Sequence, residues 1–305
     1  MTKTADTAGT AANGARATPL RERVRRAGFP LFWSAPLILW QAVFFLVPFV
    51  LLVLMSFWTV VDYRLEHIYT IYNWRHVLGQ EIFLSVYVRT VVYSVVAAIL
   101  VTVLAFPFAY GLAFKVSPGV RRLALLLLIT PFFTSYLLRS YSWALIFANK
   151  GILNEGLAII GVGSTRLLGT PFATGVGYAT YSFPLVTLLI LLSLVNVDRS
   201  LVEAANNLGA GRIRSVFTVV VPSAKIGIVF GISFAFILAF GDFIAPTLLG
   251  AGKGLTLSIL LNESIKAGAD FPSAAVVALI MIATLVAGVF ASFRLAFPPK
   301  KEAHR

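Results

Sequence analysis

There is no cysteine in the 305 residues of this chain, which excludes disulfide frameworks, thiolate nucleophiles and Cys-ligated metals together. Histidine is nearly absent too. His67, His76 and His304 are the three present, and none pairs with another at the one-turn spacing of a helical zinc motif. No metal site is expected. Charge is scarce: Asp, Glu, Lys and Arg make up 12% of the residues, against about 25% in soluble domains. Asp and Glu together number 12, most of them in loops, and no nucleophile–base set assembles from them. That argues against an enzyme.

Apolar residues fill the space. They make up 59% of the chain, and the mean hydropathy is +0.89. No water-soluble core hides that much surface, so lipid is the solvent for much of it. A hydrocarbon core about 30 Å thick takes about 20 mostly apolar residues as a helix. Such runs lie at Phe32–Trp58, Val86–Phe114, Leu123–Phe147, Thr174–Val197, Ile226–Leu249 and Ser273–Phe297. They are too long and continuous for barrel strands. The expectation is an all-α polytopic membrane protein with six transmembrane helices.

Basic residues orient it. Lys and Arg cluster before the first run, after the second, after the fourth and after the sixth, which places both termini in the cytoplasm. The net charge of +13 is then a topology signal, and no nucleic-acid partner is expected. Arg21 to Arg26 ahead of an apolar run resembles a signal peptide. However, the run continues past about 20 residues without a small-residue cleavage site, which favours an uncleaved first span. The chain therefore reads as a disordered basic cytoplasmic segment at 1–31, a transmembrane domain at 32–297 and a cytoplasmic tail at 298–305. The outer loop holds Tyr72-Asn73-Trp74, an aromatic cluster at home at a membrane interface whatever the function.

Between the fourth and fifth runs, residues 198–222 form a polar loop that reads as two short helices outside the bilayer. Asp198 or Ser200 can cap the first, which carries Leu201, Val202, Ala205 and Leu208 toward one side. Ala204 and Ala205 are small enough to let a partner approach closely. Gly209 permits a turn at positive φ, Arg212 and Arg214 stay in water, and Pro222 fits the first turn of the next span. On these features alone an amphipathic linker and a docking surface stand level.

The pattern Glu203-Ala204-Ala205, Gly209-Ala210 and then Pro222 resembles the EAA loop of ABC importer permeases. That resemblance implies that Glu203, Ala204, Ala205, Gly209 and Ala210 shape a coupling helix docking into a separate ATP-hydrolysing subunit. Two positions depart from the family pattern. Val216, followed by Phe217, stands where an aromatic is usual, and Val221 replaces leucine before the proline. Thr130 to Trp143, Gly151 to Asn154, and Gly241 to Gly250 are similar to stretches of spermidine/putrescine permeases. Importers for other small organic solutes, and some for iron or thiosulfate, share versions of them.

The resemblance implies a type I ABC importer permease fold and three kinds of protein partner: ATP-binding subunits, a second related permease, and an extracytoplasmic solute-binding protein. It implies no cofactor in this chain, with ATP and magnesium on the ATPase, and residence in the bacterial inner membrane. Gly250-Ala251-Gly252-Lys253-Gly254 lacks the earlier glycine and the Ser or Thr of a phosphate-binding loop. An ion-gradient transporter of repeated halves is the rival class, and no internal repeat supports it.

Ionisable residues within spans are functional suspects. Arg139 and Asp242 each lie about 24 Å beyond the inner end of their run at 1.5 Å per residue, so they sit at similar depth. They read either as a structural ion pair or snorkelling groups, or as part of a path for a cationic small molecule. Tyr141, Trp143 and Phe243 are the candidate cation–π contacts beside them. Gly227 and Gly231 form a GxxxG read as a helix-packing site.

Overall fold

The computed structural model describes residues 34–61, 64–161, 163, 165–268 and 270–297. The segment 1–31 and the tail 298–305 expected from the sequence lie outside the described residues. The chain divides into two units, residues 1–52 and 53–305. The described part of the first belongs to helix α1 (Ser34–Met55), apolar and long enough to cross a bilayer. Within it, a π turn at Ala42–Leu46 ends where Val47 N–H reaches back to the Ala42 carbonyl, immediately before Pro48. A proline ring clashes with the carbonyl four residues back and offers it no N–H. The wider turn is the local accommodation.

In the second unit a short antiparallel hairpin, β1 (Thr59–Val61) and β2 (Arg64–Glu66), leads to α2 (Tyr72–Gly79). Then come α3 (Glu81–Phe114), α4 (Pro118–Ile129), α5 (Tyr136–Phe147), α6 (Ile152–Ile159) and α7 (Pro171–Val195). The loop helices are α8 (Arg199–Asn207) and α9 (Arg212–Ser215), the latter continuing through a π turn at Val216–Val220 into Val221–Ser223. Last are α10 (Lys225–Gly241), α11 (Ile244–Leu248), α12 (Leu257–Gly268) and α13 (Phe271–Ala296). Neither the hairpin nor α12 has a counterpart among the apolar runs.

Caps and prolines fix the starts. Ser117 Oγ accepts from Val120 N–H ahead of α4, Thr170 Oγ1 from Ala173 N–H ahead of α7, and Asp270 Oδ1 from Ser273 N–H ahead of α13. Each of these helices has proline at its first or second position, where no N–H is needed. Polar side chains close other ends. Arg121 donates from Nε to the Leu112 carbonyl and from Nη2 to the Ala113 carbonyl, both at 2.7 Å, at the end of α3. Asn73 Nδ2 donates to the Ser56 and Trp58 carbonyls just past α1, so this member of the outer-loop cluster is buried structure.

Four helices, α1, α3, α7 and α13, are long and apolar enough to span a membrane. The expected third and fifth spans are not straight rods. Pro118–Phe133 and Tyr136–Ile159 meet at 97°, and Ile213–Ser223 and Lys225–Gly241 at 75°. By length and composition the count rises to at most six if each bent pair is one span, the first leg of the second pair being the end of the 198–222 loop. The third breaks because Pro131 sits in a 3-10 turn, Thr130–Phe133, after which Thr134 is extended. The fifth was expected to run on to Leu249; α10 instead stops at Gly241, and Asp242 is extended.

Helices α3, α7 and α10 pack on one another, and α13 packs on α10 and α12. Small residues let them close. A Cβ on Gly227 would lie 2.4 Å from Ser193 Cβ and 2.7 Å from the Leu189 carbonyl, and one on Gly231 would lie 3.1 Å from Val186 Cγ1. The GxxxG is a packing site against α7. Large apolar side chains such as Leu100, Leu104, Leu126 and Val286 remain exposed, as expected of helices whose outer faces meet lipid.

Candidate functional site

The loop after α7 is built by its caps. Asp198 Oδ1 accepts from Ser200 N–H at 2.9 Å, making Asp198 the cap of α8, and this hydrogen bonding holds its carboxyl below the usual aspartate range. At the other end Gly209 has φ +82°. Its N–H donates to the Asn206 carbonyl and the Ala210 N–H to the Ala205 carbonyl, both at 3.0 Å. That pair of bonds is a Schellman cap, which favours glycine at the left-handed position. The spacing of Ala205, Gly209 and Ala210 is therefore the spacing of a helix stop.

The return leg is tied to the first. Ser215 is buried, and its Oγ donates to Asn206 Oδ1 at 2.9 Å. Glu203 lines a cleft of about 270 Å³ with Tyr110, Phe114, Lys115, Val202 and Val220. The expected apolar side of α8 is divided. Val202 and Ala205 are half-buried, whereas Leu201 and Leu208 are exposed, because positions 202 and 205 turn inward together while 201, 204 and 208 share the outer face. Leu208 is 89% exposed, Ile213 76% and Phe217 67%, so this polar loop exposes three large apolar side chains. Arg214 is exposed as expected; the side chain of Arg212 lies outside what is described.

Pro222 corrects one expectation. It does not start the span. It ends the loop helix, beyond a π turn of the kind seen before Pro48, and the chain bends at Ala224 before α10 begins. The departures in the aromatic position resolve geometrically: Val216 is half-buried, and Phe217 is the one exposed.

The charged pair of the spans is arranged differently from an ion pair. Asp242 is buried; its Oδ1 accepts from Ile244 N–H at 2.9 Å and its Oδ2 from Ala245 N–H at 3.2 Å. Oδ2 also accepts a short bond from the Tyr136 hydroxyl. The carboxylate thus caps α11 where the fifth span breaks, while Ser258 Oγ donates to the Asp242 carbonyl at 2.8 Å. Arg139, one turn beyond Tyr136 on α5, donates to the carbonyls of Pro131 and Thr180 and to Thr134. Tyr141 and Phe243 are exposed, whereas Trp143 stacks on Phe147 within the packed core. Asp242 and Arg139 are thus held by separate partners, with Tyr136, one turn from Arg139, bridging to Asp242. Sequence reasoning missed Tyr136, Tyr181 stacked on it at 4.3 Å, and Thr180. Tyr136 sits in the same stretch as Arg139, one turn away, and that spacing was the available signal.

The model of the binding-protein-dependent transport system inner membrane component family matches residues 82–298. The chain belongs to that family. The spermidine/putrescine transport system permease protein PotB of Escherichia coli K12 is 29% identical over 253 residues, covering 82% of this chain and 90% of that protein. The inner membrane ABC transporter permease protein YdcU of the same strain is 27% identical over 211 residues, covering 65% and 67%. Among solved structures, a chain of a bacterial alginate ABC transporter, in complex with its alginate-pentasaccharide-bound periplasmic protein, superposes with a TM-score of 0.69. It is 16% identical, covering 92% of this chain and 97% of that one. The fold is that of ABC permeases, and the protein is a multi-pass inner-membrane permease.

Proposed function

We propose that this chain is the permease subunit of an ATP-driven importer of polyamines, spermidine or putrescine in type. In this reading both termini are cytoplasmic. A second related permease completes the path, and an extracytoplasmic binding protein delivers the solute. A separate ATPase, carrying ATP and magnesium, docks on the loop at 198–222. The observation that carries the reading is the exposure of Leu208, Ile213 and Phe217 on a loop whose shape is held by the Gly209 cap. A monomeric protein has little reason to hold out such side chains on a polar loop, and a partner surface does. Closure of the paired ATPases moves this loop, and the loop moves α7 and α10 to which it is joined. The resemblance to PotB over 82% of the chain supports a polyamine cargo.

The test is reconstitution in proteoliposomes with the partner permease, the ATPase and the binding protein. ATP-dependent accumulation of labelled spermidine or putrescine is expected. Uptake of thiosulfate, iron or an organophosphonate in its place keeps the machine and replaces the cargo. Uptake driven by an ion gradient without the ATPase rejects the class.

A further inference from the structure

Thr180 and Pro184 stand one turn apart in α7. In an unbroken helix the Thr180 carbonyl accepts from the N–H of residue 184, and proline has none. At membrane depth no bulk water replaces it. Arg139 Nη1, from α5, donates to that carbonyl at 3.0 Å. Nη2 of the same guanidinium donates to the Pro131 carbonyl and, at 2.7 Å, to Thr134 Oγ1. Both of those lie in the break that bends the third span by 97°. One side chain therefore supplies donors to irregular backbone in two spans. Only a planar fork with several fixed N–H directions does this; a lysine ammonium is a single point.

A second observation concerns the core. Phe147 of α5, Ala173 and Tyr178 of α7, and Ala245 of α11 share one buried cluster. From Val186 onward the buried residues of α7 belong to another. Ala179 and Phe183, partly buried, already pack on that second cluster, so the changeover falls between Tyr178 and Ala179, just ahead of Thr180.

We propose that Arg139 is a positioning residue for solute passage. It locks the break at 130–134 to the proline gap in α7, so that α5 and the N-terminal half of α7 turn as one body. The role in passage rests on the permease reading above; the lock does not.

Because the chain has no cysteine, Leu138→Cys on α5 and Phe172→Cys in the N-terminal half of α7, both at exposed positions, can carry nitroxide labels in the membrane-reconstituted protein. A narrow distance distribution is expected in the parent, with loss of the narrow peak in Arg139→Gln and in Arg139→Lys. Adding Pro184→Ala to Arg139→Gln gives Thr180 a donor within α7 but no tie to the break at 130–134, so the distribution is expected to stay broad. An unchanged distribution in Arg139→Gln overturns the proposal, as does a narrow peak regained in the double variant, which has no Arg139 lock. If Arg139→Gln fails to accumulate in the membrane, recovery of accumulation by Pro184→Ala is the expected result, and continued loss overturns it. In the transport assay Arg139→Gln is expected to lower maximal uptake roughly ten-fold at unchanged KM. A raised KM with the label distances intact would make Arg139 a solute contact instead. The label measurement needs no solute, so it stands or fails independently of the permease assignment.

Discussion

Ser215 Oγ donates to Asn206 Oδ1 at 2.9 Å, and this contact ties the second leg of the 198–222 loop to the first. Ser215 is buried, and its hydroxyl lies 3.4 Å from the Ala210 carbonyl as well. Ser215→Ala removes the donor and leaves the Asn206 amide oxygen without it, a loss of about 1 kcal/mol. Faster amide exchange across 199–210 is expected in that variant, with reduced uptake and normal membrane accumulation. Unaltered exchange would show that the two legs hold their shape independently.

Gly209 is the stricter position. At φ +82° a residue with a Cβ is strained by about 1–2 kcal/mol. Proline cannot reach that φ at all, and it also lacks the N–H that bonds to the Asn206 carbonyl. Gly209→Pro is expected to uncouple ATP hydrolysis from uptake, with Gly209→Ala intermediate. Normal solute-stimulated ATPase activity in Gly209→Pro would count against a coupling role.

Asp198 gives the loop a pH dependence of known sign. Its folded-state carboxyl is held below the ordinary value of 3.8 by the Ser200 hydrogen bonds. The cap is therefore fully present above that value and is lost as pH falls through the lower, folded-state one. At neutral pH the helix start is insensitive to pH; in acid below the ordinary range it frays. Asp198→Asn, an equally good cap, is expected to abolish the acid-induced change, measured by amide exchange at residues 199–202.

The four long apolar helices and the loop at 198–222 were legible because apolar run length, and its interruption, is a strong signal. Gly209 was legible because positive φ and the Ala205–Gly209–Ala210 spacing are properties of one short segment. The breaks were not legible. Pro131 and Asp242 sit inside runs as apolar as any other, and the groups that satisfy the chain there, Arg139 at the Pro131 carbonyl and Tyr136 at the Asp242 carboxylate, are set by the fold. Tyr141, Trp143 and Phe243 carried no register information, so their different exposures followed only from packing.

The small residues of α10 are graded by what they touch. A Cβ on Gly227 meets the Leu189 carbonyl at 2.7 Å, which is backbone and cannot swing aside, whereas one on Gly231 meets a Val186 methyl at 3.1 Å. Gly227→Ala is expected to cost about 1–3 kcal/mol, as overpacking of a tight core does. Gly231→Ala is expected to cost clearly less. Thermal unfolding in detergent measures both, and the reverse order would mean that α7 and α10 are not packed as described.

Asp242 and Tyr136 form one unit across two spans, and their roles separate by comparison. Tyr136→Phe removes the hydroxyl donor and leaves the backbone bonds from Ile244 and Ala245 in place. Asp242→Asn keeps one acceptor oxygen and turns the other into an amide NH2, a donor that faces one of those N–H donors. Each change is expected to lower thermal stability, by about 1–3 kcal/mol for a buried group left unpaired. The double variant is expected to lose less than the sum, as contacting residues do. Uptake then discriminates. If the negative charge also draws a cationic solute inward, Asp242→Asn lowers uptake well below Tyr136→Phe while assembly with the ATPase persists. Equal uptake in the two variants would confine the carboxylate to capping α11, and the attraction of cations would have to come from elsewhere on the path.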